Sequence, residues 1–260
     1  MSLPVIERKW LTAKLYTGKE IKYQNFTIGQ QKVLVIIKET DDDKKNLETY
    51  KAVVKMTQEC VQGVNVEELH PSEFEQLFYI IRSTSDSKLL KLTSVCKNPT
   101  GKRVMQKVLN EDGKETGEQR EGDELCDTEN ELSVDLIGDF QVINQTNFKT
   151  KIIIKEENMA VDFRQPRLKD LMKVESKLYP TDEAKALDTL TYCLEGVSHK
   201  EQYFNEFTYE EANKFLNSLP DTYLKNMLTF FKDQPAYLLK NEKTVKCAKC
   251  SHESKFGNGD

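Results

Sequence analysis

The chain has 260 residues, of which 38% are hydrophobic and 31% are charged, with a formal net charge of −5 and a pI of about 5.5. Charged residues usually make up about 25% of a globular chain, so we expect a modest core beneath a highly charged surface. Acidic and basic residues are interleaved, which argues against a general nucleic-acid binder, because phosphate binding needs an uncompensated basic stripe. No apolar run reaches the roughly 18 residues that a membrane-spanning helix needs.

The cysteine content and the first residues indicate a compartment. Six cysteines are too few for a secreted disulfide scaffold of this length, which favours a reducing compartment. The first seven residues lack the apolar stretch of a signal peptide, so we expect the protein to stay where it is made.

The first third of the chain predicts a hairpin followed by helices. Residues 7–26 alternate in polarity on both sides of a turn at Thr17-Gly18-Lys19 and predict a β-hairpin. Residues 31–39 predict a short helix. Residues 43–62 predict a second helix, with acids at 41–43 as its N-terminal cap and Gly63 as its end.

The sharpest amphipathic pattern follows Pro71, a residue that suits the first turn of a helix. The apolar side chains that recur there at helical spacing are Phe74, Leu77, Phe78 and Ile81.

The middle of the chain is rich in strand patterns. Residues 88–96 predict a strand, and residues 97–131 predict a mobile acidic loop, because so few of their side chains are apolar. Further strands are predicted at 132–136, 140–143, 149–155 and 160–163.

The last part of the chain reads mainly as helices. One begins at Pro166, one runs from Thr181 to Gly196, and one begins at the capping box of Thr208 and Glu211. A fourth begins near residues 218–221 and ends before Pro235.

The order of predicted helices and strands along the whole chain predicts an α+β fold with three segments. These are a hairpin plus helices (1–95), a β-rich segment with the acidic insertion (96–165), and a helical region that ends in a cysteine-containing tail (166–260).

Cys247 and Cys250 form the strongest spacing motif, a C-x-x-C near the end of the chain. Two thiolates at this spacing can bind one tetrahedral Zn²⁺, as in a zinc ribbon, but a structural site needs a second pair. Cys96 and Cys126 are the available partners, and His252 is a substitute for either. Two other interpretations stay open: thiol redox chemistry and four free thiols with no role. Cys60 and Cys193 fall on predicted helices and are expected to be ordinary buried residues.

Few residues suggest catalysis. The three histidines His70, His199 and His252 are scattered, and no nucleophile elbow, zinc-protease motif or phosphate-binding glycine loop is present. The acid pairs 67–68 and 210–211 fit helix capping. We therefore expect no enzyme, no catalytic residue and no bound organic cofactor.

A cluster of aromatic residues in the last third of the chain fits either core packing or a partner surface. Its members are Tyr203, Phe204, Phe207, Phe230 and Phe231.

Four segments follow one another in a recognisable order: the hairpin turn at residues 16–19, the block LHPSEFEQLFYIIRSTS at 69–85, residues 152–171 with Arg164-Gln165-Pro166, and the closing stretch from 230 to Cys250. This order resembles the baseplate hub family of T4-like contractile-tailed phages. The resemblance covers nearly the whole chain. Two departures are the lack of a close cysteine pair near Cys96 and the lack of an apolar aromatic ending after Phe256.

This resemblance implies a late viral protein that builds the central hub of the tail baseplate, as a hub subunit or as an assembly chaperone. Its partners would be other hub or wedge proteins, without nucleic acid or membrane, in the host cytoplasm and in the virion tail. Two alternatives from other classes remain: a zinc-binding regulator that contacts nucleic acid, and a thiol oxidoreductase.

Overall fold

The computed structural model describes residues 7–38, 46–109, 115–144 and 150–257. Within these ranges the chain is a mixed α+β fold, which confirms the predicted class. The helices are α1 (Ile28–Lys38), α2 (Asn46–Gln58), α3 (Pro71–Ser85), α4 (Leu168–Glu175), α5 (Asp182–Cys193), α6 (Tyr209–Ser218) and α7 (Asp221–Lys232). The strands are β1 (Leu11–Lys14), β2 (Glu20–Tyr23), β3 (Val61–Gln62), β4 (Leu89–Val95), β5 (Pro99–Leu109), β6 (Glu115–Leu125), β7 (Glu129–Asp135), β8 (Phe140–Ile143), β9 (Lys151–Ile154), β10 (Met159–Phe163), β11 (Leu194–His199), β12 (Gln202–Phe204), β13 (Ala236–Leu239), β14 (Lys243–Lys246) and β15 (Glu253–Phe256).

Two compact units make up the chain, and each collects two separate stretches of sequence. Unit 1 comprises residues 1–87 and 141–238, and unit 2 comprises residues 88–140 and 239–260. Whether the consecutive segments 1–95, 96–165 and 166–260 behave as domains stays a prediction, because compactness alone does not reveal which segments fold independently.

The N-terminal hairpin and the helix after Pro71 are confirmed, and they pack together in the first core cluster of unit 1. The β1–β2 pair is antiparallel, and Gly18 in its turn has a φ of +85°, a value that favours glycine. The Thr17 hydroxyl donates to Glu73 at 2.7 Å, and the Tyr16 hydroxyl lies 2.9 Å from that of Ser72. Polar contacts at the start of α3 therefore seat the hairpin beside a core that contains Ile21, Leu69, Leu77 and Ile81.

The two helices predicted between the hairpin and α3 are present with different ends. Helix α1 begins at Ile28, earlier than expected. Helix α2 ends at Gln58, so Gly63 is not its cap but lies beyond strand β3, with a φ of +78°. The acids at 41–43 lie outside the described residues.

A second core cluster in unit 1 joins a four-stranded sheet to helices α5, α6 and α7. The sheet order is β12-β11-β10-β9. The prediction that a helix runs to Gly196 is wrong, because α5 ends at Cys193 and Gly196 lies in β11, where an added Cβ would collide with the ring of Tyr203. Cross-strand packing thus decides the structure at a glycine whose local context resembles a helix end.

Unit 2 contains three antiparallel strand pairs, β4–β7, β5–β6 and β14–β15. The prediction of a mobile acidic loop at 97–131 is wrong for its described residues, since β5 and β6 form a long two-stranded ribbon. Cross-strand contacts offset the lack of apolar side chains: the Thr100 hydroxyl donates to Glu124 at 2.7 Å, and Arg103 lies 3.5 Å from Glu121. Residues 110–114 lie outside the described chain.

The predicted helical ending also needs correction. Residues 166–232 do contain α4 to α7, but β11 and β12 interrupt them, and the described chain after Asp233 contains strands and no helix. Strand β13 pairs with β8, and β14 with β15. No described helix combines the length and apolar character required to cross a membrane.

Candidate metal centre

The turn between β14 and β15 carries Cys247 and Cys250. The two strands pair in register from Lys243 opposite Phe256 to Lys246 opposite Glu253. The Cys247 N–H donates to the His252 carbonyl at 2.8 Å, and the Ser251 N–H donates to the Cys247 carbonyl at 3.0 Å. Ser251 closes the turn with a φ of +60°. This tight turn orients both sulfurs of the C-x-x-C motif towards one point.

A second turn system brings Cys96 and Cys126 together although 30 positions separate them in sequence. Strand β4 pairs with β7, and the two strands that lie between them in sequence, β5 and β6, pair with each other as the ribbon. At the base of the ribbon the Cys96 N–H donates to the Thr128 carbonyl at 3.0 Å, and the Cys126 N–H donates to the Asn98 carbonyl at 2.9 Å. The two cysteines therefore flank the ribbon on either side of its base.

The four sulfurs form one compact group, all within 4.8 Å of one another. Cys96 Sγ lies 3.6 Å from Cys250 Sγ, and Cys126 Sγ lies 3.7 Å from Cys247 Sγ. A tetrahedral Zn²⁺ with Zn–S bonds of about 2.3 Å places its sulfurs about 3.8 Å apart, whereas a disulfide needs about 2.05 Å. The spacing therefore fits a tetrahedral thiolate site.

Polar groups surround the sulfurs. The Asn98 side-chain amide donates to Cys250 Sγ at 3.8 Å, and the Thr128 hydroxyl lies 3.3 Å from Cys126 Sγ. The Asn130 side chain accepts the Ala248 N–H at 3.0 Å, which ties the C-x-x-C turn to strand β7. Such outer contacts orient thiolate ligands and stabilise their charge.

The thiols differ in acidity. Backbone N–H groups of Cys250 and Lys249 lower the pKa of Cys247 below its ordinary value. The backbone N–H of Asn98 also lowers the pKa of Cys96, but burial and the three neighbouring thiols outweigh it and raise that pKa. Four thiolates in this volume would need a cation to balance their charge, and a divalent metal would supply it.

Burial within unit 2 is consistent with a metal-dependent core. Three of the four cysteines are buried and form a cluster of their own, and only Cys250 is exposed. Apart from them, the buried apolar side chains described in this unit are Val134, Leu136, Leu239 and Val245. A unit of about 75 residues with so small an apolar core usually needs a metal or disulfides for stability.

The other residues singled out in the sequence lie elsewhere. His252 contributes its backbone carbonyl to the turn and is not part of the sulfur group. Cys60 and Cys193 are buried in the two clusters of unit 1, as predicted. His70 Nδ1 lies 3.2 Å from the Pro166 carbonyl. Among the aromatic residues, Phe230 is buried in the core, whereas Tyr203 and Phe204 are exposed.

Sequence reasoning missed the groups around the sulfurs. Asn98, Thr128 and Asn130 look like ordinary polar positions, and their role depends on the pairing of β4 with β7. A usable signal was present, since each of the cysteines Cys96 and Cys126 is followed two residues later by a side chain that can hydrogen-bond a sulfur.

The fold and the cysteine group define a class: a two-unit α+β protein whose smaller unit, made of strands in its described residues, carries a cluster of four cysteines. The family described as T4 bacteriophage base plate protein matches residues 8–258, and the chain belongs to this family. Comparison with curated proteins and with solved structures gives no match. The chain is therefore a phage baseplate protein with a structural or assembly role, which implies interaction with other baseplate proteins.

Proposed function

We propose that this protein acts in the hub of the baseplate, as a hub subunit or as a hub assembly chaperone, by binding proteins and without catalysing a reaction. The observation that carries the proposal is the family match over residues 8–258, nearly the whole chain. As a chaperone, the protein would cover apolar surfaces of a hub or wedge partner in the host cytoplasm until the correct neighbour displaces it.

Exposed apolar side chains support a role in protein binding. Those of unit 1 include Ile153, Leu178, Tyr203 and Phe204. Aromatic and large aliphatic side chains of this kind anchor protein interfaces.

A tagged copy of the protein, expressed in phage-infected cells, tests this function. Affinity purification should recover hub or wedge proteins of the baseplate, and the tag alone should recover none. A hub subunit should also occur in purified virions, whereas a chaperone should occur only in assembly intermediates. Purification that recovers no baseplate protein contradicts the proposal.

For the metal centre, we propose that Cys96, Cys126, Cys247 and Cys250 bind one structural Zn²⁺. The sulfur spacing, the burial of three thiols and the small core of unit 2 support it. When bound, the metal would cross-link the base of the β5–β6 ribbon to the C-terminal hairpin.

Native mass spectrometry of protein purified without chelators tests the zinc proposal. We expect one Zn²⁺ per chain and its loss in Cys126→Ser and in Cys247→Ser. The matched control is Cys60→Ser, which should keep the metal, because Cys60 Sγ lies 3.4 Å from the Gln30 side-chain oxygen and a serine can retain that contact. A metal-free wild type, or equal zinc loss in the control, would rule out this site.

A further inference from the structure

An apolar groove lies between strand β12 and helix α6 in unit 1. It has a volume of about 400 Å³ and is lined mainly by apolar side chains. Among them are Val197, Phe204, Phe207 and Phe215. Phe204 is one of the lining residues and is 50% exposed, although Phe side chains are usually buried. We call this feature the β12 groove.

The strand beside the groove has an open edge. Strand β12 is the end strand of its sheet and, within the described chain, pairs only with β11. An edge strand with exposed aromatic side chains can accept a further strand from another molecule, and proteins usually protect such an edge. The β12 groove therefore adjoins a row of backbone groups that can extend the sheet.

The rim of the groove is acidic. Two carboxylates line the groove, those of Glu206 and Glu211. Glu206 is exposed, whereas Glu211 accepts from the Thr208 N–H in the capping box of α6. Lys200 is the one lysine or arginine between residues 199 and 211. An occupant that is extended, apolar and basic would complement this rim.

Strand β5 of the ribbon has the matching chemistry. Met105 is 61% exposed, and Lys102 and Arg103 precede it. Arg103 and Met105 point to the same face of the ribbon, since they are two positions apart and lie opposite Asp123 and Glu121. Strand β5 pairs with β6 on one side, so its other edge is open within the described residues.

The groups on β5 are available for such a contact. Arg103 meets Glu121 at 3.5 Å with both side chains more than half exposed, and a pair of this kind contributes little stability. Methionine is flexible and contacts aromatic rings favourably, which suits a groove lined by Phe204, Phe207 and Phe215.

We propose that copies of this chain associate head to tail, with β5 of one copy added to β12 of the next. Met105 of one copy occupies the β12 groove, and Arg103 faces Glu206 at the rim. The two contacting surfaces differ, so the interface is heterologous. A short linear assembly therefore has an unpaired β5 at one end and an empty β12 groove at the other. This self-association goes beyond the proposed function and does not depend on it.

Sedimentation over a range of protein concentrations tests the proposal. Wild type should form oligomers, and Met105→Glu or Glu206→Arg should weaken association by about 30-fold or more, as expected for an interface anchor. The matched control is Ile153→Glu on β9, the other end strand of the sheet, which is 67% exposed and should leave association unchanged.

Mixing and charge reversal make the test specific. Met105→Glu copies keep an intact groove and Glu206→Arg copies keep an intact β5, so the mixture should give one-to-one heterodimers that grow no further. Arg103→Glu combined with Glu206→Arg in one chain should restore association.

Zinc content and circular dichroism confirm that each variant is folded. A wild type that stays monomeric, association that persists in the variants, or binding of another baseplate protein without self-association would overturn the proposal.

Discussion

Asp188 on α5 is the most heavily engaged buried carboxylate among the described residues. Lys177 donates to it at 2.9 Å, and the hydroxyl groups of Tyr179 and Tyr209 donate as well. The Lys177 ammonium also lies 5.1 Å from the ring centroids of Tyr192 and Tyr209. One carboxylate thus joins the segment after α4 to helices α5 and α6. Burial by itself raises the pKa of Asp188, but these donors outweigh it, and the pKa is lowered.

We expect Asp188→Asn to lower the free energy of unfolding by about 2 kcal/mol at pH 7, because the charge-assisted contact with Lys177 is lost. Since folding lowers the pKa of Asp188, its carboxylate stabilises the fold above its unfolded pKa of about 3.9, and that contribution is lost as pH falls through the folded pKa. The difference between variant and wild type should therefore shrink below about pH 4.

Urea unfolding at pH 7 and in the acid range measures both effects. The control is Asp182→Asn at the exposed first turn of α5, which should change stability by less than about 0.5 kcal/mol. An equal cost at both pH values would contradict the assigned role of the Asp188 charge.

The β5–β6 ribbon illustrates how an element can form without a core. Within the described residues, β5 and β6 pair only with each other, and an isolated hairpin is only marginally stable in water. However, β5 begins at Pro99, three residues after Cys96, and β6 ends at Leu125, directly before Cys126. A metal bound to these cysteines would hold the ends together and reduce the entropy cost of pairing the strands.

Zinc removal should therefore loosen the ribbon. We expect faster amide hydrogen exchange in the described parts of β5 and β6 when zinc is chelated, and recovery when zinc is returned. Strands β1 and β2 serve as an internal reference and should keep their protection, because they lie in unit 1. Loss of zinc with unchanged exchange in the ribbon would refute this coupling.

At the scale of the whole molecule, secondary structure is divided between the units. Every described helix belongs to unit 1, whereas the described elements of unit 2 are strands. The helical circular dichroism signal therefore reports on unit 1, which has two apolar clusters of its own.

We expect chelation of zinc to leave the helical signal near 222 nm almost unchanged while unit 2 loses resistance to protease. Removal of zinc should lower the free energy of unfolding of unit 2 by more than about 3 kcal/mol, because structural metal binding contributes directly to folding free energy. The Cys60→Ser variant, treated with chelator in the same way, should behave like wild type. Simultaneous loss of the helical signal would mean that the units do not unfold separately.

Local chemistry was enough to predict several parts of the chain. The hairpin around Gly18, the start of α3 at Pro71 and the capping box of Thr208 and Glu211 are all present, because turn, cap and helical periodicity depend on residues within a few positions of each other. The four cysteines were selected from thiol chemistry and motif spacing, and they do come together, while the metal itself stays a prediction.

The tertiary structure alone decided the β5–β6 ribbon, the strand at Gly196 and the return of the C-terminal hairpin to strand β7. Strand pairing joins residues far apart in sequence, so its stabilisation has no local periodic pattern. In the ribbon it comes from cross-strand contacts such as that of Thr100 with Glu124, and at Gly196 the ring of Tyr203 on the paired strand leaves no room for a Cβ. The sequence by itself determined the class of fold and which cysteines come together, and long-range pairing determined which surfaces the strands present.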